Sequence, residues 1–169
     1  ALSFVHSQSI LHRDIKPENI FLTPAAADTL TGTWKGEDVS CTNVKLGDFG
    51  IARVLSNTLE QACSVVGTPY YMSPEQINRD AAIDGRADLF SLGSVLYEIL
   101  CGENPAVGES MEELKRSALD DTPTAPSEIS PLPVPQRLEA LAMQCLSKYP
   151  AERPQSAAEL IRELNEDWR

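Results

Sequence analysis

A chain of 169 residues, 42% hydrophobic and 23% charged, fits one soluble globular domain with a sizeable core. Its net charge of −11 and its pI near 4.6 argue against general binding to nucleic acid or to anionic membranes. Four widely spaced cysteines (Cys41, Cys63, Cys101, Cys145) contain no C-x-x-C pair, which suits free thiols in a reducing cytosol and offers no zinc site. Asp88 and Glu98 interrupt the longest apolar stretch, so no segment is expected to span a bilayer. Residues 1–10 have neither the basic start nor the small-residue cleavage site of a signal peptide.

In chain order, residues 1–10 read as the end of an amphipathic helix, with Leu2 and Val5 three apart and His6 at the four-residue spacing from Leu2. Ile20-Phe21-Leu22 predicts a short strand, and Val44 to Gly47 predicts its partner. Residues 23–43 between them, rich in Thr, Ala, Gly and Asp, are expected to be an inserted surface loop, with Trp34 packing back on the body. Residues 51–72 carry no helical period, and Pro69 and Pro74 exclude a regular helix across that point. From Ala87 to Cys101, Leu89, Leu92, Leu96, Ile99 and Leu100 recur at helical spacing, with Phe90 and Val95 on other faces. Such a helix belongs at the centre of a core, and Gly102 is its expected stop. Ser110 to Glu113 and Ser156 to Glu159 have the spacing of capping boxes, so each predicts a helix start. The Pro-rich stretch 122–135 predicts an extended connector. The helix after Pro135 carries Leu138, Leu141, Ala142, Cys145 and Leu146, and the last helix turns Ala157, Leu160, Ile161, Leu164 and Trp168 inward.

The chemistry concentrates in two short motifs. His12-Arg13-Asp14-Ile15-Lys16-Pro17-Glu18-Asn19 sets a carboxylate, a cation and an amide at fixed offsets, and Asp48-Phe49-Gly50 adds a second carboxylate. Phosphoryl transfer needs such a set: a carboxylate at the attacking hydroxyl, a cation at the γ-phosphate, and oxygen ligands for Mg²⁺. Either triplet alone recurs by chance. Both together, in this order and each beside an apolar strand-like run, read as the catalytic and metal-binding loops of a protein kinase. The same pattern demands a Gly-rich loop and a strand lysine upstream, yet residues 1–11 contain no Gly, Lys or Glu. The nucleotide-cradling half is therefore expected outside these residues.

From about Leu2 to Leu164 the order of features resembles the C-terminal lobe of eukaryotic-type serine/threonine protein kinases. Residues 10–16, 46–55 and 67–75 are most similar to the NIMA-related kinases, and bacterial kinases of this type share Gly67 to Gln76. The resemblance implies a mainly α fold with a small β hairpin, a kinase-like C-lobe over residues 1–166, an insertion at 23–43 and an activation segment at 48–75. It implies that Asp14 orients the substrate hydroxyl and accepts its proton, that Lys16 neutralises the γ-phosphoryl group, that Asn19 and Asp48 hold Mg²⁺ (or Mn²⁺) beside ATP, and that Thr68 bridges Asp14 and Lys16. Architectural roles fall to His12 and Phe49, stacked in an apolar column exposed at the missing-lobe face, to Asp88 as the anchor of the catalytic-loop backbone, and to Glu75 with Arg153 as a buried ion pair. Arg13 is the expected receiver of an activation-segment phosphate, on Ser64 first, then Thr58 or Ser56, placed by an upstream kinase or by autophosphorylation. The implied partners are ATP and a protein with a Ser/Thr acceptor, with no nucleic acid and no membrane segment. The implied location is cytoplasmic, with the cytoskeletal association of NIMA-related kinases. The other reading is a non-catalytic truncated kinase that serves as a protein-binding module.

Overall fold

A computed structural model describes residues 1–23, 30–34, 37–41, 43–48 and 69–165. Helix α1 (Leu2–Ser7) leads into residues 8–16, which pass through a 3₁₀ turn at Pro17–Asn19 into strand β1 (Ile20–Thr23). Strands β2 (Leu30–Trp34), β3 (Glu37–Cys41) and β4 (Asn43–Leu46) follow. A 3₁₀ turn at Pro69–Tyr71 precedes helices α2 (Pro74–Asn78), α3 (Gly85–Cys101), α4 (Met111–Asp120), α5 (Pro126–Ile129), α6 (Gln136–Cys145) and α7 (Ala157–Asn165). None of the described helices is long and apolar enough to cross a membrane.

The expected strands pair antiparallel, from Ile20↔Leu46 to Thr23↔Asn43. The stretch between them is more than a loop. β2 and β3 form a second antiparallel ribbon, from Leu30↔Cys41 to Trp34↔Glu37, leaving two residues to connect them. Its strands mix Thr, Gly, Asp and Ser and lack a clean apolar alternation, so their period is not visible in the sequence.

Helix α3 is the axis of the core. Asp84 caps its start by accepting from Arg86 N at 2.9 Å, and Gly102 (φ 79°) ends it in the left-handed conformation that glycine enters without a Cβ penalty. Leu89 of α3 packs with Leu141 and Cys145 of α6 and with Ala157 and Leu160 of α7, while Leu2 and Leu164 close the cluster. On the other side, Phe90, Tyr97 and Leu146 form a second cluster against Ile129 and Met143. α3 and α6 meet so closely at Gly93 that a Cβ there would lie 2.5 Å from Cys145 Cβ.

Several burial expectations are corrected. Ile99 is 58% exposed, and the large apolar side chains that α3 buries are Leu89, Phe90, Val95 and Tyr97. Buried residues surround the first part of the helix, 87–91 and 93–95, and after Tyr97 none of its residues is buried. Ile161 is also largely exposed on α7, whereas Ala157 and Leu160 are buried. The Pro-rich connector holds one helical turn, α5, with Pro126 at its first position, where a missing N–H costs nothing. Both serine caps form, Ser110 Oγ accepting from Glu113 N and Ser156 Oγ from Glu159 N. The glutamates reach one residue further back, to Glu109 N and Gln155 N.

Among the described residues Cys101 and Cys145 are free thiols. Cys145 is 1% exposed, and burial pushes its thiol up to about 12. At about pH 8 it is both protonated and shielded. Iodoacetamide is therefore expected to label Cys145 only after denaturation, as read by peptide mass spectrometry.

Candidate active site

The segment His12–Asn19 has little regular structure of its own and hangs from the core. Asp88, 1% exposed in the first turn of α3, accepts His12 N at 2.9 Å through Oδ2 and Arg13 N at 2.8 Å through Oδ1. Gln76 Nε2 donates to the Arg13 carbonyl at 3.0 Å, while its Oε1 accepts from Ser73 N at the start of α2. Arg13 is thereby held at φ 65°, a conformation that non-glycine residues seldom adopt. Ile15, 2% exposed, plugs the loop into the interior from below.

His12 is fully buried, which corrects the expectation that it lies at an exposed end of an apolar column. Its ring is polar in use: Nδ1 accepts from Asp14 N at 3.3 Å and Nε2 donates to the Gly47 carbonyl at 2.8 Å. That bond ties the His12–Asn19 segment to the end of β4. The Gly47 N–H in turn donates to the Asn19 carbonyl at 2.9 Å. Asp48, exposed and at φ 47°, follows directly, so Asn19 and Asp48 are neighbours by backbone pairing.

Three of the predicted polar groups converge. Asp14 Oδ2 lies 3.0 Å from Lys16 Nζ and accepts from Asn19 Nδ2 at 3.2 Å. Asn19 Nδ2 also donates to the Asp14 carbonyl at 2.7 Å, which orients the amide so that its oxygen points elsewhere. An amide oxygen and a neighbouring carboxylate are hard donors, so Asn19 and Asp48 fit Mg²⁺ or Mn²⁺. Asp14 is nearly half exposed while Asn19 is buried, an arrangement of an accessible carboxylate over a fixed amide. Arg13 is exposed beside them. A small cleft of about 20 Å³ runs between Asp14, Lys16, Tyr71, Met72 and Ser91. A larger one of about 410 Å³ lies apart from the loop, between α6 and α7, with Arg137, Gln144 and Arg162 in its wall. Phe49, Thr58, Ser64 and Thr68 lie outside the described residues.

Two supports reinforce the floor. Arg153, 2% exposed, meets Glu75 in a two-pronged ion pair of 2.6 and 2.9 Å and stacks on Phe90, 5.0 Å from its centroid. Burial by itself would raise the Glu75 carboxyl, but Arg153 and further hydrogen bonds outweigh it and hold the group below the ordinary glutamate value. Tyr71 donates to Glu98 Oε2 at 2.6 Å and takes Ser91 Oγ on its carbonyl at 2.6 Å, fixing the turn that faces Asp14. Burial, followed by Glu98, drives the Tyr71 hydroxyl far above the usual phenol range. Gln76, Tyr71 and Glu98 are not picked out by the sequence reading. Gln76 had a signal, since it stands three residues after Ser73 in capping-box spacing.

The family described as "Protein kinase domain" matches residues 1–166. Serine/threonine-protein kinase PknB of Mycolicibacterium smegmatis is 39% identical over 167 residues, covering 97% of this chain and 24% of that protein. PknB of Mycobacterium leprae is also 39% identical, over 166 residues with the same coverage, and a probable serine/threonine-protein kinase of Streptomyces coelicolor is 37% identical over 95% of this chain and 22% of its own length. The chain thus spans about a quarter of the length of the curated relatives it matches. With the match running over nearly every residue, catalytic segment included, this chain belongs to the protein kinase domain family.

Proposed function

We propose that the full-length protein transfers the γ-phosphoryl group of ATP to serine or threonine hydroxyls of other proteins, and that this chain is its C-terminal lobe. The observation that carries the reading is the convergence of Lys16 Nζ and Asn19 Nδ2 on one oxygen of Asp14, 3.0 and 3.2 Å away. With Oδ2 so engaged, Oδ1 is the oxygen available to an incoming hydroxyl. The acceptor oxygen bonds to the γ-phosphorus, the bridging P–O bond to the β-phosphate breaks, ADP leaves, and the acceptor proton passes to Asp14. Lys16 offsets charge on the transferred group, and Thr68 bridges Lys16 and Asp14. Asn19 and Asp48 hold Mg²⁺ or Mn²⁺; when bound, the cation supplies neutralisation of phosphate charge. Arg13, exposed beside the site, receives a phosphate on Ser64 or, failing that, Thr58.

Residues 48–75 are the activation segment and 23–43 an insertion in this lobe. The Gly-rich loop and strand lysine then belong to other sequence of the protein. Exposed apolar groups support a covering lobe: Leu22 and Val44 face each other across the β1–β4 ladder at 65% and 64% exposure, and Phe4 is 70% exposed. The relatives named above are bacterial kinases, which favours the bacterial-type subfamily. The NIMA-related likeness, and the cytoskeletal association it implies, rest on residues 10–16, 46–55 and 67–75. Dependence on ATP suits a cytoplasmic location.

The test is transfer of labelled γ-phosphate from Mg-ATP to a generic serine/threonine substrate. Transfer is expected from the full-length protein and none from residues 1–169 alone. A full-length protein that stays inactive after phosphorylation by cell extract would favour the non-catalytic binding module.

A further inference from the structure

Gln76 stands at the third position of α2, where the serine-capped start of the helix needs only an acceptor. Its Oε1 takes the Ser73 N–H and the Ser73 hydroxyl, each at 3.1 Å. Two donors on that oxygen settle the orientation of the amide, so Nε2 faces the other way. There it donates to the Arg13 carbonyl at 3.0 Å, 63 residues back. A glutamate would cap α2 equally well but has no hydrogen to give at that end. Glutamate does hold this place in the other two serine-capped helices, as Glu113 in α4 and Glu159 in α7, and each accepts from a nearby backbone N–H, of Glu109 and of Gln155.

We infer that Gln76 is a positioning residue for the phosphoryl-transfer site, acting on Asp14 through the peptide unit that joins it to Arg13; this rests on the kinase reading above. The carbonyl of that unit accepts from Gln76 Nε2 and its N–H donates to His12 Nδ1 at 3.3 Å, so bonds on opposite sides fix its plane. The His12 bond is the longer of the two, which leaves most of the hold to Gln76. On its other flank Asp14 is held by Asn19, whose Nδ2 donates to the Asp14 carbonyl at 2.7 Å. Loss of the Gln76 donor lets the plane rock, and Asp14 Oδ2 drifts from Lys16 Nζ and Asn19 Nδ2. The bond also joins two separate stretches of chain. α2 follows closely on the Pro69–Tyr71 turn, and Tyr71 lines the cleft at Asp14, so Gln76 keeps the carboxylate in register with that wall. Gln76 is not among the residues that line the cleft, so the effect falls on turnover and not on binding.

The experiment uses the full-length protein with Gln76→Glu, which keeps the acceptor for Ser73 and removes the donor to Arg13, and with Ser73→Ala, which weakens the cap and leaves the Arg13 bond. Three quantities are read: amide hydrogen exchange at Asp14, kcat and KM for peptide phosphorylation, and the urea midpoint. In Gln76→Glu, exchange at Asp14 is expected to rise and kcat to fall by about tenfold, with KM changed less than about twofold and the midpoint close to that of the unmodified protein. Ser73→Ala is expected to give the opposite pattern, a lower midpoint with kcat kept within about twofold. If Gln76→Glu does not fold, Gln76→Met, which removes the donor without adding a charge, gives the same comparison. Unchanged exchange at Asp14 in the position-76 variant overturns the proposal. So does a loss of kcat in Ser73→Ala as large as in Gln76→Glu, with both losses tracking the urea midpoint. Should the unmodified protein transfer no phosphate, the kinase reading fails, while exchange at Asp14 still decides whether Gln76 holds the peptide unit.

Discussion

Asp14→Asn is expected to lower kcat for phosphoryl transfer by about 10²–10⁴-fold in the full-length protein, with the unfolding midpoint unchanged. The asparagine is nearly isosteric, and its carbonyl oxygen can keep the contacts from Lys16 Nζ and Asn19 Nδ2 that Oδ2 now takes. What is lost is the anionic oxygen to which the proposed function gives the acceptor hydroxyl and its proton. Asp14 is nearly half exposed and bears none of the core, so folding does not depend on its charge. Radiolabel transfer and a urea titration on the same preparation separate the two effects. A variant retaining more than about a tenth of wild-type kcat would remove Asp14 from the chemistry.

Arg153→Met is expected to cost about 3–5 kcal/mol of unfolding free energy, since it strands the Glu75 carboxylate in the interior. Arg153 also donates to the carbonyls of Ser147, Lys148 and Arg86, so one guanidinium joins α2, the start of α3 and the segment before α7. The double variant Glu75→Leu with Arg153→Met is expected to be more stable than Arg153→Met alone, because no charge is left buried, though the three carbonyls still lose their donor. The sign of the pH effect follows from Glu75, whose carboxyl is held below its ordinary value. Its contribution is fully present above the unfolded glutamate pKa and is lost as pH falls through the depressed folded value. Wild-type stability should therefore drop in that acid range, and the double variant should lose less. Urea midpoints measured across the range check both statements.

The parts of this molecule that were legible in the sequence are those whose signal is local. Asp14, Lys16 and Asn19 stand within six residues, and a 3₁₀ turn brings them together without help from distant chain. The antiparallel partnership of residues 20–22 with 44–46 followed from two short apolar runs beside the motifs. Helix α3 announced itself by length and by the glycine at its end. What stayed hidden depends on tertiary encounter. Nothing near His6 says that its ring will meet a carboxylate 82 residues later. Gln76 reaches 63 residues back to Arg13, and Ile99 faces solvent although its spacing puts it on the apolar face of α3. The β2–β3 ribbon escaped because its strands carry almost no apolar alternation.

That ribbon has a consequence for how the gene can change. The Thr23↔Asn43 pair closes the β1–β4 ladder immediately before the inserted stretch, and Thr23 Oγ1 donates to the Asn43 carbonyl at 3.2 Å as a clasp. Asn19 and Asp48 are fixed on the near side of that clasp, so whatever lies beyond it is insulated from their spacing. Lengthening a loop costs only about 0.6 kcal/mol for each doubling. The stretch is thus a tolerant graft point, where an epitope, a fluorophore-binding tag or an evolving docking element can be spliced into the chain without moving Asn19 and Asp48 a few residues away.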